Sequence, residues 1–177
     1  MQNTNQLARF EQAALPHLDA AYNLARWLTR NDHDAQDVVQ EAYLRALKFF
    51  SGFRGGDGRA WLLTIVRHTS YDWLRQNRRY EPLTDLDEDP RDVESDALDP
   101  EALLLRAADN QLLRQAIEEL PVEFREAVIL RELEGLSYKE IADIAGLPLG
   151  TVMSRLARAR QRLKQYLVAH THKEAHL

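Results

Sequence analysis

LSYKEIADIAGLPLGTVMSRLARARQRLKQYL, residues 136–167, is where spacing, turn chemistry and charge converge on one device. Ser137 followed by Glu140 is a capping-box pattern, in which a hydroxyl and a carboxylate each accept from an orphan backbone N–H at a helix start. A short helix is therefore predicted from Tyr138. Ile141, Ala142 and Ala145 give it a narrow apolar side, and the small Ala142 lets a second helix cross closely. Gly146 supplies the turn, and Pro148 marks the start of the next helix. There Val152, Leu156, Ala159 and Leu163 recur at i, i+4, i+7 and i+11, which makes one buried stripe. Thr151, Ser154, Arg155, Arg158 and Arg162 then share the outward face. From Gly150 to Leu167 stand five basic residues, Arg155, Arg158, Arg160, Arg162 and Lys164, and no acidic one. The pattern is a helix-turn-helix whose second helix suits a major groove, where arginine forks onto guanine and hydroxyls or lysine hold phosphates. A basic helix alone equally describes the solvated last helix of a bundle. The capped first helix, the turn and the one-signed second helix together favour DNA contact.

The chain's 177 residues suffice for one medium domain or two small ones. Seven glycines and six prolines among abundant Leu, Ala, Arg and Glu favour helices. No stretch reaches the apolar length of a membrane span, and MQNTNQLARF lacks the regions of a signal peptide, so a cytoplasmic chain is expected. The absence of cysteine excludes disulfides, thiolate metal sites and cysteine nucleophiles. The net charge of −5 argues against a nucleic-acid binder until its distribution is read. Residues 80–101 carry 10 acidic side chains and 1 basic one, while 1–79 carry 11 basic and 8 acidic and 102–177 carry 11 and 10. Local patches, not the isoelectric point, therefore decide.

From Asn5 to Thr29 apolar residues recur at helical spacing, with Pro16 a kink or break. In NDHDAQDVVQEAYLRALKFF, Asp32 or Asp34 can cap a helix with Val38, Ala42 and Leu47 inward and Asp37, Gln40, Glu41, Arg45 and Lys48 outward. Taken alone, that outer face reads as a solvated surface with acid-first charge order. Four glycines between Gly52 and Gly58 read as a flexible loop, since neither the GK[ST] ending nor a dinucleotide fingerprint is present. The loop feeds a helix from Arg59 to Arg79, with Leu62, Ile65, Val66, Thr69 and Trp73 as its buried side. Arg67, His68, Tyr71 and Arg75 form a basic, partly aromatic strip continuing into Arg78 and Arg79, chemistry that can hold unstacked bases of a single strand. Trp61 and Trp73 read as core residues. Three prolines and dense acid make 80–101 an extended linker between two domains. A helix around Glu101 to Leu120 follows. Pro121 starts another, bearing Phe124, Val128, Ile129 and Leu133, as the floor under the helix-turn-helix. His170, His172 and His176 read as a frayed polar tail rather than a metal site.

In this order the segments resemble the bacterial RNA polymerase sigma factors of the extracytoplasmic-function group within the sigma-70 family, over roughly residues 10–167. DAQDVVQEAYLRALKFFSGFRG with AWLLTIVRHTSYDWLRQNRR is similar to sigma region two, and LPVEFREAVILRELEGLSYKEIADIAGLPLGTVMSRLARARQRL to sigma region four. The resemblance implies an all-α fold of two small helical domains, residues 1–79 and 102–170, joined by the acidic flexible linker 80–101 and followed by a tail, 171–177. It implies that Asp37, Gln40 and Glu41 dock on the clamp coiled coil of the polymerase beta-prime subunit. It implies that Phe53 to Arg59, with Phe53, Arg54 and Arg59 as contacts, take a flipped base of the −10 element. Arg67, His68, Tyr71, Asp72, Arg75, Arg78 and Arg79 would face −10 DNA. Thr151, Ser154, Arg155, Arg158 and, on the same face, Arg162 would read the −35 element. The implied partners are core RNA polymerase, through the beta-prime clamp coiled coil and the beta flap, promoter DNA, and a soluble or membrane-anchored anti-sigma factor. No cofactor or metal is implied. His68 and Met153 depart from the asparagine and the basic residue that many relatives carry.

The residues leave two competing classes. A conventional helix-turn-helix repressor or activator would bind duplex DNA alone at a palindromic site, and a helical adaptor would bind a partner without directing transcription. An enzyme is disfavoured: His68, Ser70 and Asp72 lie too close on one helix to form a triad, and there is no phosphate loop.

Overall fold

A computed structural model of the chain describes residues 1–84 and 111–174, the last four of these as backbone only. Among the described residues every regular element is helical. The chain divides into two compact units, Met1–Tyr80 and Glu81–Leu177. Most of the acidic linker expected at 80–101, and the start of the helix expected from Glu101, lie outside the described residues.

Unit one contains α1 (Gln2–Ala14), a 3-10 turn (Leu15–His17), α2 (Leu18–Thr29), α3 (Asp32–Phe49), a second 3-10 turn (Phe50–Gly52) and α4 (Gly58–Gln76). Pro16 breaks the first helix as expected, because it sits in the 3-10 turn, where its missing N–H costs nothing. The cap of α3 is Asn31 rather than Asp32 or Asp34: its side chain accepts from the Asp34 N–H at 3.1 Å. Asp32 is instead taken by Arg26 Nε at 2.6 Å and by the Tyr22 hydroxyl at 3.2 Å. These hydrogen bonds, that of Arg26 first, hold the Asp32 carboxyl below the ordinary carboxylate range. Their stabilisation is present above that range and is lost as pH falls through the lowered value.

The core of unit one is built from Leu24, Leu28, Leu62, Leu63 and Val66, all fully buried, with Ala21, Ala25, Ala42 and Ala46 allowing close approach of helices. Each buried leucine contributes about 1.5–3 kcal/mol relative to exposure. The inward face of α3 continues from Val38 and Ala42 to Ala46, and Leu47 is 42% exposed, one position off that four-residue spacing. In α4, Leu62, Val66 and Thr69 are buried as expected, whereas Ile65 and Trp73 are half-buried and Leu63, Ser70 and Leu74 are buried. The helix packs against α1, α2 and α3, so its buried surface is wider than one stripe.

The Phe53–Asp57 loop is anchored at both ends. Phe53 donates its N–H to the Phe50 carbonyl at 2.9 Å, and the Asp57 carboxylate caps α4 by accepting from Arg59 and Ala60. Gly55 and Gly56 take φ of +90° and +98°, which glycine alone adopts readily. Gly58 has a different reason: a Cβ there would lie 2.5 Å from the Ala13 carbonyl oxygen. Gly58→Ala is therefore expected to push α1 off α4 at a cost of about 1–3 kcal/mol, read as a fall in the thermal midpoint.

Unit two contains α5 (Gln111–Glu118), α6 (Val122–Val128) running into a π turn (Ile129–Leu133), α7 (Tyr138–Ala145) and α8 (Leu149–Glu174). Phe124, Ile129 and Leu130 are fully buried, but Leu133 is 45% exposed. The π turn, closed by the Glu134 N–H on the Ile129 carbonyl at 3.1 Å, advances the helix by an extra residue and rotates Leu133 out of the expected stripe. The backbone of α8 continues as helix to Glu174.

Candidate nucleic-acid interface

The helix-turn-helix of unit two is α7 and α8. Both halves of the capping box are present, Glu140 N–H to Ser137 Oγ at 3.1 Å and Ser137 N–H to Glu140 Oε1 at 3.2 Å. Gly146 closes α7 with φ of +66°, and the Pro148 carbonyl accepts the first bonds of α8 from Thr151 and Val152. Val152, Leu156, Ala159 and Leu163 are 0–2% exposed, so the predicted stripe is the buried seam of α8. On α7, Ile144 is buried beside Ile141 and Ala142, a residue missing from the predicted apolar side.

The residues expected on the outward face of α8 are less free than the spacing suggests. Thr151, Ser154, Arg155, Arg158 and Arg162 are all half-buried. Ser154 donates to the Thr151 carbonyl within its own helix. Arg155 lines a small crevice with Glu123, Glu126, Val152 and Leu147, and the Arg162 guanidinium lies over the Phe124 ring at 5.2 Å. The Nε atoms of Arg155 and Arg158 are shielded from solvent.

Arg160, the remaining arginine of the run, faces inward and fastens α8 to the π turn. Its Nη2 lies 2.8 Å from Glu132 Oε1, with side chains 16% and 12% exposed. Burial lowers the Arg160 pKa, but the hydrogen bonding and charge attraction of Glu132 and Tyr138 together outweigh it and the net shift is upward. Close by, Arg131 donates to the Leu136 carbonyl at 2.9 Å and lies over the Tyr138 ring. Glu132→Ala strands a shielded guanidinium and is expected to cost about 1.5–3 kcal/mol, a fall in melting midpoint of several degrees that Glu132→Asp partly restores.

In unit one, α4 carries the second cationic face. Arg67 and Arg75 both lie over the Tyr71 ring, their guanidinium carbons 4.6 and 5.8 Å from its centroid, and Arg75 also stands 5.1 Å from that of Tyr80. Tyr71 itself is 3% exposed, so it is a packed support under the arginines and not part of the solvent-facing strip that the helical spacing placed it on. Its ring touches that of Tyr80 edge-on, which is why it is covered. His68, Arg75, Arg78 and Arg79 are exposed. Arg79 lies over Trp73 and 3.7 Å from Asp34.

The loop ahead of α4 is built as a pile of rings. Phe53 stacks on Phe50 at 5.6 Å and tilts against Trp61 at 4.8 Å, while Phe10 of α1 meets Phe50 edge-on at 5.5 Å. Phe53 and Arg59 are half-buried and Arg54 is exposed. On α3, Asp37 and Gln40 are exposed, and Gln40 borders an open groove of about 650 Å³ between α2 and α3, lined also by Leu18, Tyr22, Gln36, Val39 and Tyr43. Glu41 is exposed but engaged by Arg45 Nε at 3.1 Å. Among the described residues no cluster of three metal-ligating side chains occurs, and no helix is long and apolar enough to cross a membrane. His170 stacks on Tyr166 at 3.9 Å.

Comparison with known proteins separates the same two units. Residues 14–80 match the family Sigma-70 region 2, and residues 110–163 match Sigma-70, region 4. The chain is 36% identical over 173 residues to the ECF RNA polymerase sigma factor SigE of Mycolicibacterium smegmatis, a match covering 93% of this chain and 67% of that one. It is 40% identical over 135 residues to the ECF RNA polymerase sigma-E factor of Escherichia coli K12, covering 72% and 71% of the two. Among solved structures, the sigma factor RpoE in complex with the anti-sigma factor NepR, from Bartonella quintana, matches with a TM-score of 0.68 and 30% identity over 90% of this chain and 96% of that one. CnrH in complex with the cytosolic domain of CnrY matches with a TM-score of 0.62 and 26% identity over 90% and 88%. With both regions in sequential order and these identities over most of its length, the chain belongs to the extracytoplasmic-function sigma factors of the sigma-70 family.

Proposed function

We propose that this chain is the dissociable initiation subunit that carries core RNA polymerase to its promoters in the cytoplasm and helps to open them. The observation that carries the reading is the pairing in one chain of a capped helix-turn-helix with an arginine-rich second helix and a separate helical unit whose α4 carries a series of arginines and follows an aromatic loop. The first suits duplex recognition in a major groove, the second a displaced strand. Thr151, Ser154, Arg155, Arg158 and Arg162 read or hold the −35 element. Phe53, Arg54 and Arg59 take a flipped −10 base, with Arg67, His68, Arg75, Arg78 and Arg79 along the neighbouring backbone and Tyr71 supporting them. Flipping a base costs a few kcal/mol, which stacking and hydrogen bonding in such a pocket offset. Asp37, Gln40 and Glu41 of α3, with Gln40 at the edge of the α2–α3 groove, dock on the beta-prime clamp coiled coil, while the second unit meets the beta flap. Sigma factors are initiation factors, so the phosphoryl transfer belongs to the core enzyme.

An anti-sigma protein holds the chain inactive in this reading. Its support is that two structurally similar proteins are seen with such partners, NepR on RpoE and the cytosolic domain of CnrY on CnrH.

The discriminating experiment is fluorescence anisotropy of promoter duplex with the chain alone and with core polymerase added. Tight, specific binding that needs the core is expected. Equally tight binding of a palindromic duplex by the chain alone would favour a conventional repressor.

A further inference from the structure

The polymerase-facing side of α3 and the DNA-facing side of α4 are joined by one arginine that the sequence placed only on an outer face. Arg45 uses its Nε to engage Glu41 Oε1 at 3.1 Å and its Nη1 to engage Asp72 Oδ2 at 2.8 Å, with Thr69 Oγ1 at 3.5 Å from the same Nη1. The other carboxylate oxygen of Asp72 lies 3.7 Å from Arg75 Nη1. Arg75 in turn stands over Tyr71 and Tyr80. A guanidinium presents its donors in a rigid fork, so one side chain can hold two carboxylates in fixed relative positions, which an ammonium cannot. The hydrogen bond to Asp72, opposed by partial burial, raises the Arg45 pKa, so the fork stays charged throughout the physiological range.

These side chains are too exposed for the network to be a stability device. Arg45 is 32% exposed, Glu41 53%, Asp72 43% and Arg75 57%. Ion pairs of that exposure contribute about 0–1 kcal/mol each. The folding of unit one rests on its apolar seam, and the fork is left to set geometry at its surface.

We propose that Arg45 is a positioning residue for promoter opening, holding Asp72, and through it Arg75, in register with the Glu41 side of α3. This rests on the sigma reading, in which Glu41 faces polymerase and Arg75 faces the −10 strand. When the core docks on α3 it meets a carboxylate already tied to the helix that receives the melted strand. Losing the fork leaves Glu41 available for docking but lets Asp72 and Arg75 pair with each other in other rotamers.

The test measures three quantities with core polymerase and the full chain: affinity for the core, the rate of promoter opening reported by 2-aminopurine in the −10 region, and the thermal midpoint of the free chain. Arg45→Ala is expected to slow opening about ten-fold or more, the effect of misplacing one charged contact. Its core affinity stays within about three-fold, and its midpoint falls by no more than about 5 °C, as for exposed ion pairs. Asp72→Asn gives the same defect, and the Arg45→Ala, Asp72→Asn double variant is no worse than either within about two-fold, because both remove one interaction. Arg45→Lys, which reaches Asp72 but lacks the fork, recovers part of the rate. Unchanged opening by Arg45→Ala, additive defects in the double variant, or a loss explained wholly by weaker core binding would overturn the proposal while leaving the sigma reading intact. If the unaltered chain opens no promoter with the core, the sigma reading fails and the proposal fails with it.

Discussion

Arg155→Ala combined with Arg158→Ala is expected to reduce transcription from a promoter that depends on its −35 element by at least about 30-fold, since each bidentate base contact contributes about 1–3 kcal/mol of discrimination. Both side chains stand on α8 of the helix-turn-helix, half-buried and with shielded Nε atoms. Their neighbours Val152, Leu156 and Ala159 form the buried seam and remain in place in the double variant. Arg155 also lines the crevice beside Glu123 and Glu126, which makes a fold control necessary. The helical content and thermal midpoint of the variant should therefore be measured beside run-off transcription. A well-folded double variant that transcribes normally would remove α8 from −35 recognition.

Phe124→Ala is expected to have the largest effect on stability. Phe124 is fully buried in α6, the helix that α8 packs against, and Arg162 covers its ring. Deleting a buried phenylalanine side chain costs about 3–5 kcal/mol through lost transfer energy and the cavity left behind. Against a domain stability of about 5–15 kcal/mol, that is a large share. A fall in the thermal midpoint of more than about 10 °C should follow in circular dichroism, with loss of −35-dependent transcription at temperatures where unit two has melted. A shift of only about 1–2 °C would mean that α6 is not the floor under the helix-turn-helix.

What could be read from the chain alone follows from range. The capping box, the Gly146 turn and the seam of α8 are local patterns, and each appears where the residues placed it. Asn31 displaced Asp32 as the cap of α3 because Asp32 had a better partner six residues back, Arg26. Leu133 left its stripe because the π turn changes the helical period, which no spacing rule anticipates. Tyr71 looked like a strand-binding aromatic and proved to be covered, since its neighbour Tyr80 lies beyond the helix that defines its face. Two of the ion pairs at the candidate surfaces, Arg45 with Asp72 and Arg160 with Glu132, join residues 27 and 28 positions apart. No periodicity links such residues; only the packing of α3 on α4, and of α8 on the π turn, brings them together.

The most direct test of the central reading is transcription by purified core RNA polymerase on a pooled promoter library, with and without this chain, followed by mapping of RNA 5′ ends. The prediction is a set of start sites that appear only with the chain, share a −35 and a −10 element, and weaken with Arg155→Ala, Arg158→Ala. No chain-dependent start sites, together with specific binding of palindromic duplex by the chain in the absence of polymerase, would contradict it.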